Sequence, residues 1–189
     1  MTAPADVLAR YQELCADCDA LGRRVHETFG KQWQCRPGCS GCCQLLTVCG
    51  LEAVALLKSG LLLGNAGQAA AGDGLCCLLR DNRCLVYEQR PLICRTHGLP
   101  LVSSTLTEGE VDCCPLNLPA LAGVVELEAD LVLDLDRLTG NLMRLNLAFF
   151  LILGRPELAE IRFSLAALAD GAELPPELLA AAGFSAIGS

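Results

Sequence analysis

Four cysteines fall within nine residues in the run Cys35-Arg-Pro-Gly-Cys39-Ser-Gly-Cys42-Cys43. Further thiols follow at Cys77, Cys84 and Cys94, and at the adjacent pair Cys113-Cys114. A deprotonated thiol is a soft, anionic donor, and thiols packed this closely suit zinc or the iron of an iron–sulfur cluster. The Ser-Gly insert between Cys39 and Cys42 can turn tightly enough to aim both sulfurs at one centre, with Gly41 relieving the backbone. Arg-Pro-Gly between Cys35 and Cys39 is a second turn-forming insert. Cys42 and Cys43 are neighbours, so their side chains diverge unless the backbone turns between them. Adjacent thiols therefore point either to a polynuclear cluster or to two nearby sites. A lone zinc needs four thiolates, and this chain offers at least eight.

Four thiolates around one centre leave excess negative charge, which needs donors and cations when buried. Arg36, Arg83 and Arg95 each adjoin or directly follow a candidate ligand, and the backbone N–H groups of the turns can add more. His97 follows Cys94 by three residues, but a lone histidine near a helix end is more often structural, and His26 has still less to recommend it. Cys15, Cys18 and Cys49 sit in apolar patterns, where a free thiol behaves as a small hydrophobe.

The elements that must position these thiols are mostly helical. Residues 5–30 read as a helix, with Pro4 in the first turn and Gly30 as the stop. Its apolar stripe is Leu8, Tyr11, Cys15, Cys18, Val25 and Phe29. Pro37, Gly38 and Gly41 keep residues 34–43 irregular. A helix over 51–58 closes at Gly60, and residues 64–74 read as a loop or weak turn. Residues 75–86 predict two short strands about a polar turn at 80–83. A helix then runs from Tyr87 to His97 with Pro91 in its first turn, and 99–106 is a strand candidate. Leu135, Leu138, Leu142, Leu145, Phe149 and Ile152 form one helical stripe that ends at Gly154 and Pro156. Two short helices follow, one capped by Ser164 and one starting at Pro175 or Pro176.

All thirteen cysteines lie between Cys15 and Cys114. Beyond residue 119 there are ten acidic and four basic side chains. The composition thus divides the chain into a cysteine-cluster metal-binding region, 1–119, and a helical scaffold, 120–189, packing on it as one compact domain. The fold class expected is mainly α with small irregular β elements, a helix-rich single domain organised around a cysteine-bound metal centre.

The net charge of −8 opposes general nucleic-acid binding, which needs a basic footprint. The start Met1-Thr-Ala-Pro-Ala-Asp6 has neither a positive region nor an apolar signal core. The apolar run 145–153 is too short to span a bilayer. A cytoplasmic location is the expectation, where thiols stay reduced, and an odd number of cysteines cannot close a full disulfide framework. No Gly-rich phosphate loop, nucleophile elbow or dinucleotide fingerprint occurs.

Two segments together carry a resemblance. Cys35-x3-Cys39-x2-Cys42-Cys43 and Cys84-Leu-Val-Tyr87-Glu-Gln-Arg90-Pro91-Leu-Ile-Cys94-Arg95 resemble the YkgJ-like cysteine-cluster family, described as a zinc- or iron-chelating domain and often labelled iron–sulfur-cluster-containing. The chain also looks like the cysteine-rich part of flagellin lysine N-methylases, although it shows no evident S-adenosylmethionine site. The resemblance covers roughly residues 33–117. It implies ligation by Cys35, Cys39, Cys42, Cys43, Cys77, Cys84 and Cys94, and by Cys113 or Cys114 ahead of Pro115 and Asn117. Tyr87, Arg90 and Pro91 would pack around the site. The first gap is one residue longer than the family's usual spacing, and Cys76 and one of Cys113/Cys114 are extras.

The expectation is an iron–sulfur protein, with a [4Fe–4S] cluster serving electron transfer or a redox step through a protein partner. The alternatives are a zinc-stapled partner-binding module and a transient metal carrier. Whether the chain is itself an enzyme, and in what oligomeric state, is left open by its residues.

Overall fold

A computed structural model describes residues 3–44, 47–60, 75–108, 110–121, 127–170 and 174–184. The stretch 64–74, read above as a loop or weak turn, lies outside the described residues. The fold is mainly α with a few very short strands. Helix α1 (Pro4–Phe29) opens with proline at its first position, and its buried face is Val7, Leu8, Tyr11, Cys15, Cys18, Leu21 and Val25. That is the predicted stripe widened by Val7 and Leu21 and without Phe29, which is only half-buried. Phe29, at its end, stacks on Trp33 with ring centroids 5.4 Å apart.

Strand β1 (Thr47–Cys49) leads directly into α2 (Gly50–Lys58). Nearly all of α2 is buried, because it is packed on more than one side. At its start, Gly50 lies so close to the Phe150 ring that a Cβ there would collide with it. The polar groups at this buried helix start are satisfied from elsewhere. Asn146 accepts from the Leu51 N–H at 2.9 Å and donates to the Ala159 carbonyl at 2.8 Å.

Strands β2 (Leu79–Arg80) and β3 (Arg83–Cys84) form the predicted hairpin. Asp81 and Asn82 both take positive φ, 47° and 59°. Aspartate and asparagine tolerate this region, and two such residues match the twist of a two-residue hairpin.

The helix predicted from Tyr87 to His97 is broken. A 3₁₀ turn covers Tyr87–Gln89, Arg90 is extended at ψ 144°, and α3 covers only Leu92–Thr96. The pyrrolidine ring of Pro91 excludes helical geometry at the preceding residue, so proline starts the helix instead of sitting within it. The strand candidate 99–106 shortens to β4 (Leu101–Val102).

A short helix α4 (Leu118–Leu121) and strand β5 (Leu133–Asp134) precede α5 (Leu135–Ile152), whose start is capped by the Asp134 carboxylate accepting from the Arg137 N–H at 2.8 Å. Strand β6 (Arg162–Ser164), α6 (Leu165–Asp170) and α7 (Pro176–Ala182) complete the chain. Ser164 caps α6 through the Ala167 N–H, and Gly183 ends α7 in the left-handed region at φ 89°.

Two strand pairings tie the cysteine-bearing part to the later helices. Strand β1 runs antiparallel to β6, with Thr47 opposite Ser164, and β4 runs parallel to β5. The main core is built from both parts: Val54, Leu56 and Leu57 pack with Phe149, Phe150, Leu165, Leu168 and Leu178. Burying each such side chain stabilises by about 1.5–3 kcal/mol. A smaller cluster of Leu21, Val25, Trp33, Leu99, Ala120 and Leu131 sits beside it. Among the described residues, no helix is long and apolar enough to cross a membrane.

Candidate metal centre

Cysteines distant in sequence come together around one cavity of about 460 Å³. The turn-rich segment contributes Cys35, Cys39, Cys42 and Cys43 to its wall, as its spacing predicts. The stretch ahead of the hairpin contributes Cys76, strand β3 contributes Cys84, α3 contributes Cys94, and α1 contributes Cys18. Cys77, named from the sequence, is not among the lining residues, whereas its neighbour Cys76 is. Cys113 is buried, with its thiol toward the Cys114 carbonyl, and Cys114 lies near Cys35 and Cys42 without lining the cavity. None of the thirteen cysteines, all of them described, is in a disulfide. Among the described residues, no three histidine, cysteine, aspartate or glutamate side chains are gathered tightly about one ion-sized point.

Each lining segment is held by specific contacts. The Cys39 N–H donates to the Arg36 carbonyl at 3.0 Å, and the Cys43 N–H to the Ser40 carbonyl at 2.9 Å, forming the two turns that bring the first thiols round. Ser40 and Asn82 hydrogen bond at 2.9 Å and tether this segment to the hairpin tip. The Cys76 N–H donates to the Cys43 carbonyl at 2.8 Å. Cys84 follows from the hairpin register, in which it lies opposite Leu79.

Helix α3 is anchored by Glu52, whose side chain is only 2 % exposed. One carboxylate oxygen accepts from Leu92 N–H at 3.0 Å, and the other from Cys49 N–H at 3.2 Å. Glu52 therefore satisfies orphan donors at the starts of both α2 and α3 and fixes where Cys94 points.

Asn117 is fully buried and does the same for Cys35. It accepts from Gln34 N–H at 2.8 Å, and its amide donates to the Gly98 carbonyl at 3.0 Å and to Cys35 Sγ at 3.2 Å. Gly98 has φ 87°, and any Cβ there would land on Cys35 Sγ. The glycine requirement is thus twofold, conformational and steric.

The cations are arranged less simply than the sequence implied. Arg36 and Arg95 line the cavity, but Arg83 does not; Arg90 does instead. Asp19 of α1 pairs with Arg90 at 3.1 Å and with Arg95, whose side chain is 7 % exposed. Arg95 also donates to the carbonyls of Arg90 and Glu88, and Arg90 lies 4.2 Å from the Tyr87 ring centroid. This network locks the Tyr87–Arg95 segment against α1. His26 and His97 lie on the cavity wall as well.

The thiols inhibit one another's ionisation. Burial pushes the Cys94 thiol up to about 12, with Cys76, Cys84 and Cys43 adding to it. Burial pushes Cys43 up to about 11, reinforced by Cys42, Cys84, Cys76 and Cys39. Cys35 is raised by burial, drawn down by the Asn117 hydrogen bond, and raised again by Cys114, Cys39 and Cys42. Cys76 is the exception: the hydrogen bond with Cys77 lowers it to about 7. A bound cation reverses this balance, because it stabilises every thiolate at once.

The cavity wall is sulfur-rich, has a hydrogen-bond donor aimed at one sulfur, and encloses more room than a single ion needs. No family model, curated protein or solved structure matches the chain.

Sequence reasoning read Cys18 as core and Cys76 as an extra. Cys18 belongs to both environments: it is buried in the helix stripe and forms one wall of the cavity. No spacing signal separates Cys76 from Cys77, since adjacent residues differ only in which way the backbone turns them. Glu52 has a local signature, because it is the third residue of α2, where a carboxylate can reach back to the capping residue. Its second partner, Leu92, has no sequence signal.

Proposed function

We propose that this chain is an iron–sulfur protein of the YkgJ-like type, carrying [4Fe–4S] chemistry in the thiol-lined cavity for electron transfer or a redox step. The observation that supports this most is the convergence of eight cysteines from five separate segments on one cavity of about 460 Å³. Core thiols scatter among apolar side chains, whereas these face a common space flanked by Arg36, Arg90 and Arg95.

When bound, the cluster supplies one-electron chemistry at a potential set by charge, exposure and hydrogen bonds to sulfur. The chain's own residues supply the rest. Asn117 donates to the Cys35 sulfur, Glu52 fixes the α3 thiol, and the Asp19–Arg90–Arg95 network places positive charge beside the thiolates. The electron comes from a donor protein and leaves to an acceptor protein, and the cavity's partial opening gives the partner its approach. A reducing compartment such as the cytoplasm suits thirteen unpaired thiols.

The test is a pair of ligand variants, Cys39→Ser and Cys42→Ser, in anaerobically purified protein. Each should lose the visible charge-transfer absorption and its bleaching on reduction. Full retention in both would remove the assignment. Zinc bound without sulfide would replace it with a zinc protein in which metal only staples the irregular segment.

A further inference from the structure

The cavity is lined from two stretches of chain, 18–43 and 76–99. Together they carry eight of the fourteen Lys and Arg side chains and only four of the twenty-two Asp and Glu. The remainder carries six basic and eighteen acidic groups. A chain of net charge −8 thus concentrates its positive charge on the segments around the cavity. Part of that charge is engaged internally, where Asp19 holds Arg90 and Arg95, and Arg24 pairs with Asp130. The rest faces water. Arg23, Lys31, Arg36 and Arg83 are exposed, and none of these four side chains has a hydrogen-bond or ion-pair partner among the described residues. The exposed carboxylates of the two stretches are Glu27, Asp81 and Glu88. The bond between Ser40 and Asn82 sets Arg83 beside the turn that Arg36 opens. The hairpin register also places Arg80 directly opposite Arg83. Like charges opposite one another weaken a strand pair, so the fold itself does not benefit from this arrangement.

We infer that this cationic face around the cavity mouth is the docking site for a protein partner with an acidic surface. The inference rests on the redox reading above for the partner being a protein, and adds the chemistry by which that partner is chosen. Arg23 and Arg36 line the cavity whereas Lys31 and Arg83 do not, so the free cations are spread around the opening and do not converge on one small anion inside it. Gly38 and Gly41, in the turns after Arg36, meet nothing where a Cβ would stand, which leaves that edge open to an approaching surface. Cys42 and the Tyr87 ring are exposed on the same wall. The acidic remainder of the chain repels an acidic partner from other directions, so the charge pattern selects the docking orientation as well as the partner. It also disfavours nucleic acid, because an extended polyanion would run off this face onto acidic surface.

The experiment measures binding of the full chain, as purified, to a small acidic ferredoxin by titration calorimetry at low and at physiological salt. Both proteins are acidic, so repulsion between their net charges would make binding tighten as salt screens it. Docking through this face requires the opposite, an affinity that falls by about tenfold over that range. Arg23→Glu and Arg36→Glu should each weaken binding at low salt by about fivefold, as expected for reversing one exposed charge. Arg137→Glu makes the same charge change at an exposed residue of α5 and should stay within about twofold. The salt dependence of the unaltered protein decides the matter even if a variant fails to fold. Binding that tightens with salt, equal losses in all three variants, or no saturable binding at low salt would overturn the assignment. A single-stranded oligonucleotide that binds more tightly than the ferredoxin, with the same arginine dependence, would overturn it in favour of nucleic acid. Salt-weakened, arginine-dependent binding without electron exchange in the complex would uphold the docking face and remove the electron-transfer reading.

Discussion

The leucine–phenylalanine core and the thiol cavity lie side by side and are held by different physics. In the core, Phe149, Phe150, Leu165, Leu168 and Leu178 are buried against α2, and the few polar groups among them, Asn146 and Glu52, find partners. Its stability is built in. Around the cavity, the segments are turns, a two-residue-per-strand hairpin and a five-residue helix. They seat Leu78, Val86 and Leu92 in that same core, and they bring together thiols whose ionisation is mutually unfavourable. On the proposed function, that region would gain from a metal what the other gains from leucine. A conventional core would then carry the folding while the thiol cavity holds the redox centre.

Metal removal should separate the two regions most sharply. Binding of a structural metal to thiolates is worth on the order of 10–16 kcal/mol. Chelation under reducing conditions should strip amide-exchange protection from residues 34–44 and 75–117 while α2 and α5 stay protected. Equal loss in both regions, followed by hydrogen exchange, would erase the distinction. The converse variant is Phe149→Ala. It should cost about 3–5 kcal/mol in denaturant unfolding, yet leave metal content per folded chain unchanged.

Glu52 links the regions, so its loss should be felt in both. Glu52→Ala leaves the Cys49 and Leu92 N–H groups without their acceptor and should cost about 2–3 kcal/mol, together with weaker metal retention through the freed α3. Glu52→Gln, which keeps one acceptor oxygen, should lose less. A stability loss with wholly normal metal retention would show that α3 is positioned by something else. Asn117→Asp is narrower still. It keeps the acceptor for Gln34 but removes the donor to Cys35 Sγ and sets a carboxylate against the sulfur. Its expected signature is a lower reduction potential at near-normal stability, measured by redox titration.

The smallest effect is on pH. Burial pushes Cys49 and Cys18 up to about 12 in the fold, above the ordinary thiol value near 9. A raised thiol favours the neutral form, so its contribution is complete below about pH 8.5 and declines as pH rises toward 12. Metal-free protein should therefore lose stability progressively on the alkaline side, as followed by thermal unfolding across that range. Metal uptake runs the other way. It releases protons from thiols that are neutral at pH 7, so apparent affinity should strengthen as pH rises.

The scaffold was the more legible region from sequence. The stripe from Leu135 to Ile152, the stop at Gly154 and the caps at Ser164 and Pro176 are local signals, and each is realised at its expected place. The Asp81-Asn82 turn was legible for the same reason. The helix expected from Tyr87 to His97 placed Pro91 in its first turn, where a missing N–H is tolerated, but the restriction that proline places on Arg90 starts the helix after it. In the cavity, thiol spacing marked the right segment, but the choice of Cys76 over Cys77 depends on backbone direction. The roles of Glu52 and Asn117 depend on partners 40 and 82 residues away, and no local pattern encodes such distances.

The most direct measurement is the iron, acid-labile sulfide and zinc content of the native protein, purified without oxygen and without added metal. Iron and sulfide in equal amounts, with a visible absorption that bleaches on reduction, is the predicted result. Zinc alone, or a metal-free protein whose residues 34–44 and 75–117 are as protected as α5, would contradict it.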